Sequence, residues 1–152
     1  MITHKNGVWI VPLADHHQFY RFVELKRDLP NHPDYTVVIV NTKKFIECFE
    51  NGSPTFLVPP VVAWTTRKRN GLRTFLDPAT GPPNMPRAHI QIALQPRLFG
   101  IRKPLEVAIV SFTNGRHRTR YLDDAGAICI PIEVHLSMVR LFSTYCSRRC
   151  SP

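Results

Sequence analysis

Glycine is scarce in this chain. Only 7 of 152 residues are glycine, against 14 prolines. Glycine-rich loops that wrap phosphates are correspondingly absent: neither GxxxxGK[ST] nor GxGxxG occurs. HExxH and GxSxG are missing as well, and no two carboxylates are spaced for glycoside hydrolysis. Cysteine is limited to Cys48, Cys129, Cys146 and Cys150, with no CxxC pair. Cys146 and Cys150 stand at i, i+4, but no second pair completes a zinc site. No structural metal is therefore expected, and the default reading is reduced thiols in a cytoplasm. No apolar run approaches the roughly 18 residues of a spanning helix. Val8 to Ala14 is too short, and too broken by Pro12, to be the core of a signal peptide. No membrane insertion is expected.

Acid is the remaining shortage. Eleven Asp plus Glu face 20 Lys plus Arg, a formal charge of +9. That balance favours nucleic acid, nucleotide, an anionic membrane surface or an acidic protein face, without choosing among them. What is present suffices for a core. Apolar residues make up 43% of the chain, and its length suits one domain, residues 1–152.

Hydrophobic spacing gives the order of elements. Gly7 to Leu13 reads as a short strand. Phe19, Phe22, Val23 and Leu25 recur at roughly helical spacing and predict a helix between Asp15 and Arg27. Pro30, Asn31 and Pro33 enforce a turn before a β-branched strand over Tyr35 to Val40. Asn41 or Thr42 caps the next helix, whose Phe45, Ile46 and Phe49 form one face. After a loop over 53–64, Thr65 or Thr66 caps a basic helix with Leu72, Phe75 and Leu76 facing inward. Ala88 to Leu94 and Leu105 to Phe112 read as strands separated by a connector over Pro96 to Pro104. A helix over Arg116 to Ala125, a strand over Ile128 to Val134 and a helix over Met138 to Cys146 complete a compact, mixed α/β domain.

The richest stretch lies between the last strands. Asn114 and Gly115 are turn residues, and Arg116, His117, Arg118 and Arg120 crowd the start of the helix that follows. A helix start offers unpaired N–H groups and the positive end of its dipole, so acids are favoured there and clustered bases are not. An anion would reverse that penalty, and arginine forks match phosphate oxygens. Asn114, Gly115, Arg116, His117, Arg118 and Arg120 are therefore the phosphate or nucleotide candidates. Arg116 and Arg120 share a helix face, and Arg118 points elsewhere, toward a carboxylate such as Glu133. His117 has three readings: phosphate donor, acid or base, or a ring packed on the sheet. Arg67, Lys68, Arg69 and Arg73, with Arg87, are candidates for nucleic-acid contact or a solvated helix face. Trp9 and Trp64 read as core or loop anchors.

The run from Phe112 through Arg120, followed by Gly126 and Ile130-Pro131, resembles the signature of the ParB N-terminal/sulfiredoxin superfamily. With Pro59-Pro60-Val61, Trp64 through Pro78, and Met85-Pro86-Arg87, residues 35–135 resemble more narrowly the plasmid fertility inhibition factor family. The superfamily implies a ParB/sulfiredoxin-like fold, a small mixed sheet with surrounding helices and a phosphate site at the turn. Sulfiredoxins carry a reactive cysteine where Arg116 stands, so that reductase chemistry is not implied. Partition proteins would need further modules for which the chain has no room. The narrower family implies a bacterial, cytoplasmic inhibitor of conjugative DNA transfer through a type IV secretion system. Its partners would be a DNA transfer intermediate, the coupling protein or a relaxosome component, and its cofactor ATP or another nucleotide with Mg²⁺. ATPase or DNase activity would place Arg116, His117 and Arg118 on phosphate, with Glu133, Asp123 or Asp124 positioning metal or water. A non-catalytic, protein-binding inhibitor is the alternative.

Overall fold

Residues 1–54, 57–147 and 150 are described by the computed structural model. Strands β1 (Thr3–Lys5), β2 (Val8–Pro12) and β3 (Phe22–Lys26) form an antiparallel meander. A second sheet has the order β4-β7-β5-β6, from β4 (Tyr35–Asn41), β5 (Arg87–Arg97), β6 (Arg102–Asn114) and β7 (Cys129–His135). It is mixed: β4 with β7 and β5 with β6 are antiparallel, whereas β5 meets β7 in parallel. Helices α1 (Thr42–Glu50), α2 (Thr66–Phe75), α3 (Arg116–Asp124) and α4 (Val139–Cys146) surround the sheets. The result is the expected compact, mixed α/β domain.

Helices α1 and α2 start on side-chain caps. Asn41 accepts from the Lys44 N–H at 3.1 Å, and Thr65 from the Lys68 N–H at 3.3 Å. Helix α3 ends in a Schellman motif: Ala127 N–H reaches the Leu122 carbonyl and Gly126 N–H the Asp123 carbonyl. Gly126 has φ +79°, and a Cβ there would sit 2.3 Å from that of Ala14. No other residue fits both the left-handed backbone and that contact. The core is continuous from Val23 and Leu25 through Val40, Phe45, Ile90, Val110, Leu122, Ile130 and Ile132 to Phe142. Truncating a fully enclosed side chain such as Leu122 costs about 3 kcal/mol.

Three sequence expectations change. The helix over 15–27 is replaced by β3, because Val23 and Leu25 alternate inward and β2 supplies the ladder bonds. The helical spacing came largely from Phe19 and Phe22, which are exposed. The connector over Pro96 to Pro104 is a long hairpin instead. Both prolines sit where the register slips between Gln95↔Leu105 and Arg97↔Arg102, so neither removes a regular ladder bond. Phe75, expected inward, is half exposed.

The cysteines differ too. Cys129 and Cys150 form a disulfide, with Cα atoms 5.9 Å apart. The chain beyond α4 returns to the start of β7, which a separation of 21 residues does not reveal. Cys48 and Cys146 are free and buried, and the Cys146 thiol donates to Cys48 Sγ at 3.8 Å. That bond, with burial, pushes the Cys146 thiol up; the same bond pulls Cys48 down.

Candidate functional site

Strand β6 runs into α3 through one residue, Gly115, at φ +85°. A Cβ there would lie 2.7 Å from Pro86 Cα, so backbone sterics and packing both demand glycine. Gly115 brings no side chain to cap α3, and among the described residues none does. The first N–H groups of the helix, at Arg116, His117 and Arg118, therefore open into a cleft of about 490 Å³. Its walls are Phe112, Thr113 and Asn114 of β6, the start of α3, and Leu72 and Phe75 of α2. The cleft lining contains no carboxylate.

Five polar residues hold the turn rigid. Asn114 Oδ1 accepts from the Arg87 N–H at 3.0 Å and from Arg118 Nη2 at 3.3 Å. Asn114 Nδ2 donates to Asp28 at 3.3 Å, and Asp28 also binds Asn84 Nδ2 at 2.7 Å and Arg87 Nη1 at 2.9 Å. Arg118 Nη1 donates to the Asn84 carbonyl. Burial lowers the Arg118 pKa from its ordinary value, and nearby Asp28 offsets part of that. Arg118 is thus a fixed cation in the cleft wall. Arg116 beside it is exposed and enters no ion pair among the described residues. It is the adaptable one.

His117 stands edge-on to Trp64, with ring centroids 5.8 Å apart, and Lys68 Nζ lies 4.6 Å from the Trp64 centroid. Burial lowers the His117 pKa, and Lys68 and Arg116 lower it further. The imidazole is therefore neutral at neutral pH. An anion in the cleft would counter the two cations and raise its proton affinity.

Several sequence candidates lie elsewhere. Arg120 is 7% exposed, with Nη2 on Glu50 at 2.7 Å and Nε on the Val58 carbonyl at 3.0 Å. It ties α3 to the chain around α1 and leaves the cleft. The expected Arg118–Glu133 pair does not form. Glu133 is fully buried, accepting from Arg27 Nε at 2.8 Å and from the N–H groups of Asp28 and Leu29. Its carboxylate is spent on joining the segment after β3 to β7, and Glu133 does not line the cleft. Asp123 pairs with Lys43 at 3.7 Å, and Asp124 lends only its carbonyl, to His16. Among the described residues no group of three His, Cys, Asp or Glu side chains converges on a metal position.

On α2, Lys68 turns toward His117, whereas Arg67 and Arg69 face solvent. Arg73 stacks 3.9 Å over the Phe19 ring, and Arg87 is held by Asp28. The sequence offered no sign of Asp28 or Asn84 as site residues. They meet the turn only because the Met85 N–H bonds the Lys26 carbonyl at 2.7 Å, which sets Asn84 beside β3.

No curated protein matches the chain. A solved structure, the gold(I) cyanide derivative of oncogenic suppression activity protein, a plasmid fertility inhibition factor, shares its fold. The TM-score is 0.65 at 14% identity, covering 97% of this chain and 74% of that one. The family model for plasmid fertility inhibition factor matches residues 37–147, from β4 through α4 and across the whole turn. The chain belongs to the plasmid fertility inhibition factor family.

Proposed function

We propose that the cleft at the start of α3 binds a phosphate group of DNA or a nucleotide, and that this binding serves the inhibition of conjugative DNA transfer through a type IV secretion system from the bacterial cytoplasm. One observation carries the reading: an uncapped helix start, flanked by Arg116, His117 and Arg118, faces a cleft without a carboxylate. Two guanidinium groups and oriented N–H groups suit a dianionic oxygen cluster. Strand, left-handed glycine turn, helix and strand in β6–α3–β7 also support a ParB/sulfiredoxin-like assignment of the fold.

The donor set fits phosphate but not Mg²⁺. Hard cations need carboxylate or carbonyl oxygens, and Asp28 is already shared by Arg87, Asn84 and Asn114. A nucleotide would have to bring its own metal. In hydrolysis of ATP or DNA, Arg116, His117 and Arg118 would hold the transferred group, and neutral His117 is the available proton acceptor. Glu133 would act only by anchoring β7. The lack of a carboxylate in the cleft favours the second reading over turnover: a non-catalytic inhibitor that occludes the coupling protein or a relaxosome component, with Arg67 and Arg69 extending the basic face.

The test measures sulfate, pyrophosphate, single-stranded DNA and duplex DNA binding, together with ATP and DNA turnover, in parent and Arg116→Ala. Binding that falls at least about tenfold in the variant supports the phosphate site. Equal binding by the two proteins refutes it. Turnover lost with binding makes the protein an enzyme.

A further inference from the structure

At its other end, β6 leaves the body of the domain. Every residue of the β5–β6 hairpin from Leu94 to Glu106 is exposed. Leu98, Phe99 and Ile101 make the tip, at 56%, 105% and 84% exposure. Leu94 and Leu105 follow behind it. Leu94 pairs with Glu106 and Leu105 with Gln95, so these two leucines stand on opposite faces of the ribbon.

Two further features need a partner. Leu98 and Phe99 both have positive φ, 47° and 53°. Asn and Gly take such positions in hairpin turns at little steric cost; bulky side chains do not. Arg97 and Arg102 are direct cross-strand partners, with Lys103 adjacent. Like charges placed opposite each other repel, and none of the three joins an ion pair among the described residues.

We propose that this hairpin tip docks on an anionic phospholipid surface, with Leu98, Phe99 and Ile101 seated at the headgroup–acyl boundary and Arg97, Arg102 and Lys103 on lipid phosphates. Apolar side chains on both faces and at the end call for a medium that surrounds the tip, which a flat protein face does not provide. A DNA groove offers polar base edges to most of that surface. A second copy is disfavoured by the shared positive charge of the arms. An apolar end above a basic collar is the pattern of interfacial anchors. Among the described residues no helix is long and apolar enough to cross a membrane, so the contact is peripheral. It is independent of the cleft at α3.

The test is flotation of the full chain with vesicles of phosphatidylcholine alone and of phosphatidylcholine with phosphatidylglycerol. The parent is expected to float with the second and not the first. Arg97→Gln/Arg102→Gln/Lys103→Gln should weaken binding by roughly a hundredfold, and Phe99→Ser/Ile101→Ser by at least about tenfold. Neither should melt below the parent, since no described contact is lost, and the glutamine variant also loses the repulsion between Arg97 and Arg102. In Phe99→Trp, emission should shift to the blue on anionic vesicles, beyond any change from Trp9 and Trp64. Absence of flotation, or flotation unchanged in Phe99→Ser/Ile101→Ser, overturns the proposal. Loss of duplex-DNA binding in the tip variants without vesicle binding by the parent overturns it equally and assigns the arm to nucleic acid.

Discussion

The two ends of strand β6 are both arginine-rich turns with left-handed backbone, and they are built in opposite ways. At Gly115 the left-handed residue is the one that sterics allow, and Asn114, Asp28, Asn84 and Arg87 lock each other around it. At Leu98-Phe99 the left-handed residues are bulky, and Arg97 and Arg102 face each other unpaired among the described residues. The first turn has its internal contacts satisfied and leaves a shaped cleft. The second leaves its cost unmet within the chain. Preorganisation marks a site for a small, defined group; unmet cost marks a surface completed by something large and adaptable.

Substitutions sharpen the contrast. Arg27→Ala should have the largest effect, about 3 kcal/mol in denaturant unfolding, because Glu133 would remain fully buried without its cation. Gly115→Ala should cost about 2–3 kcal/mol, from the left-handed backbone and the collision with Pro86. Gly100→Ala has the same φ but open space, and should cost only about 1 kcal/mol. If the two glycine variants melt together, the rigid-versus-open distinction fails. Leu98→Asn/Phe99→Gly should raise stability by about 1 kcal/mol by relieving the tip, measurable as a higher unfolding midpoint.

The smallest effect is a pH dependence. The His117 pKa is lowered in the folded protein by burial, Lys68 and Arg116. Its contribution to stability is therefore complete above its unfolded value of about 6.5 and is lost as pH falls through the folded value. Sulfate, which does not titrate in this range, should restore part of that loss by raising the proton affinity of His117. Calorimetry should show sulfate binding tighten by a few fold as pH drops below neutrality, with proton uptake. His117→Gln should flatten the profile.

Local chemistry was legible in the sequence. The strand over Tyr35 to Val40, the Gly115 turn and the last helix follow from spacing and side-chain type alone, and the caps narrow to Asn41 or Thr42 and Thr65 or Thr66, of which the fold uses the first of each. What required the fold is which side chain answers which charge. Arg120 is chemically the equal of Arg116 and shares its helix, yet Glu50 claims it from 70 positions away. Asp28 lay at the edge of a stretch whose exposed phenylalanines imitated helical spacing, so nothing aimed it at Asn114. Pro96 and Pro104 read as breaks because sequence does not show that a slipped register makes room for both.

Glu133 and Asp28 also decide what the matched segment can do by itself. Residues 37–147 contain every motif residue of the turn, but Asp28, Arg27 and the backbone donors of Asp28 and Leu29 precede it. A chain trimmed to that segment would keep the motif and lose its bracing. Asn114 would keep Arg87 and Arg118 but lose its anchor on Asp28, and Glu133 would need a proton or water to remain inside. The first 34 residues thus brace the turn from outside the matched segment: displacing the N-terminal sheet would act on Asn114 through Asp28 and on β7 through Glu133.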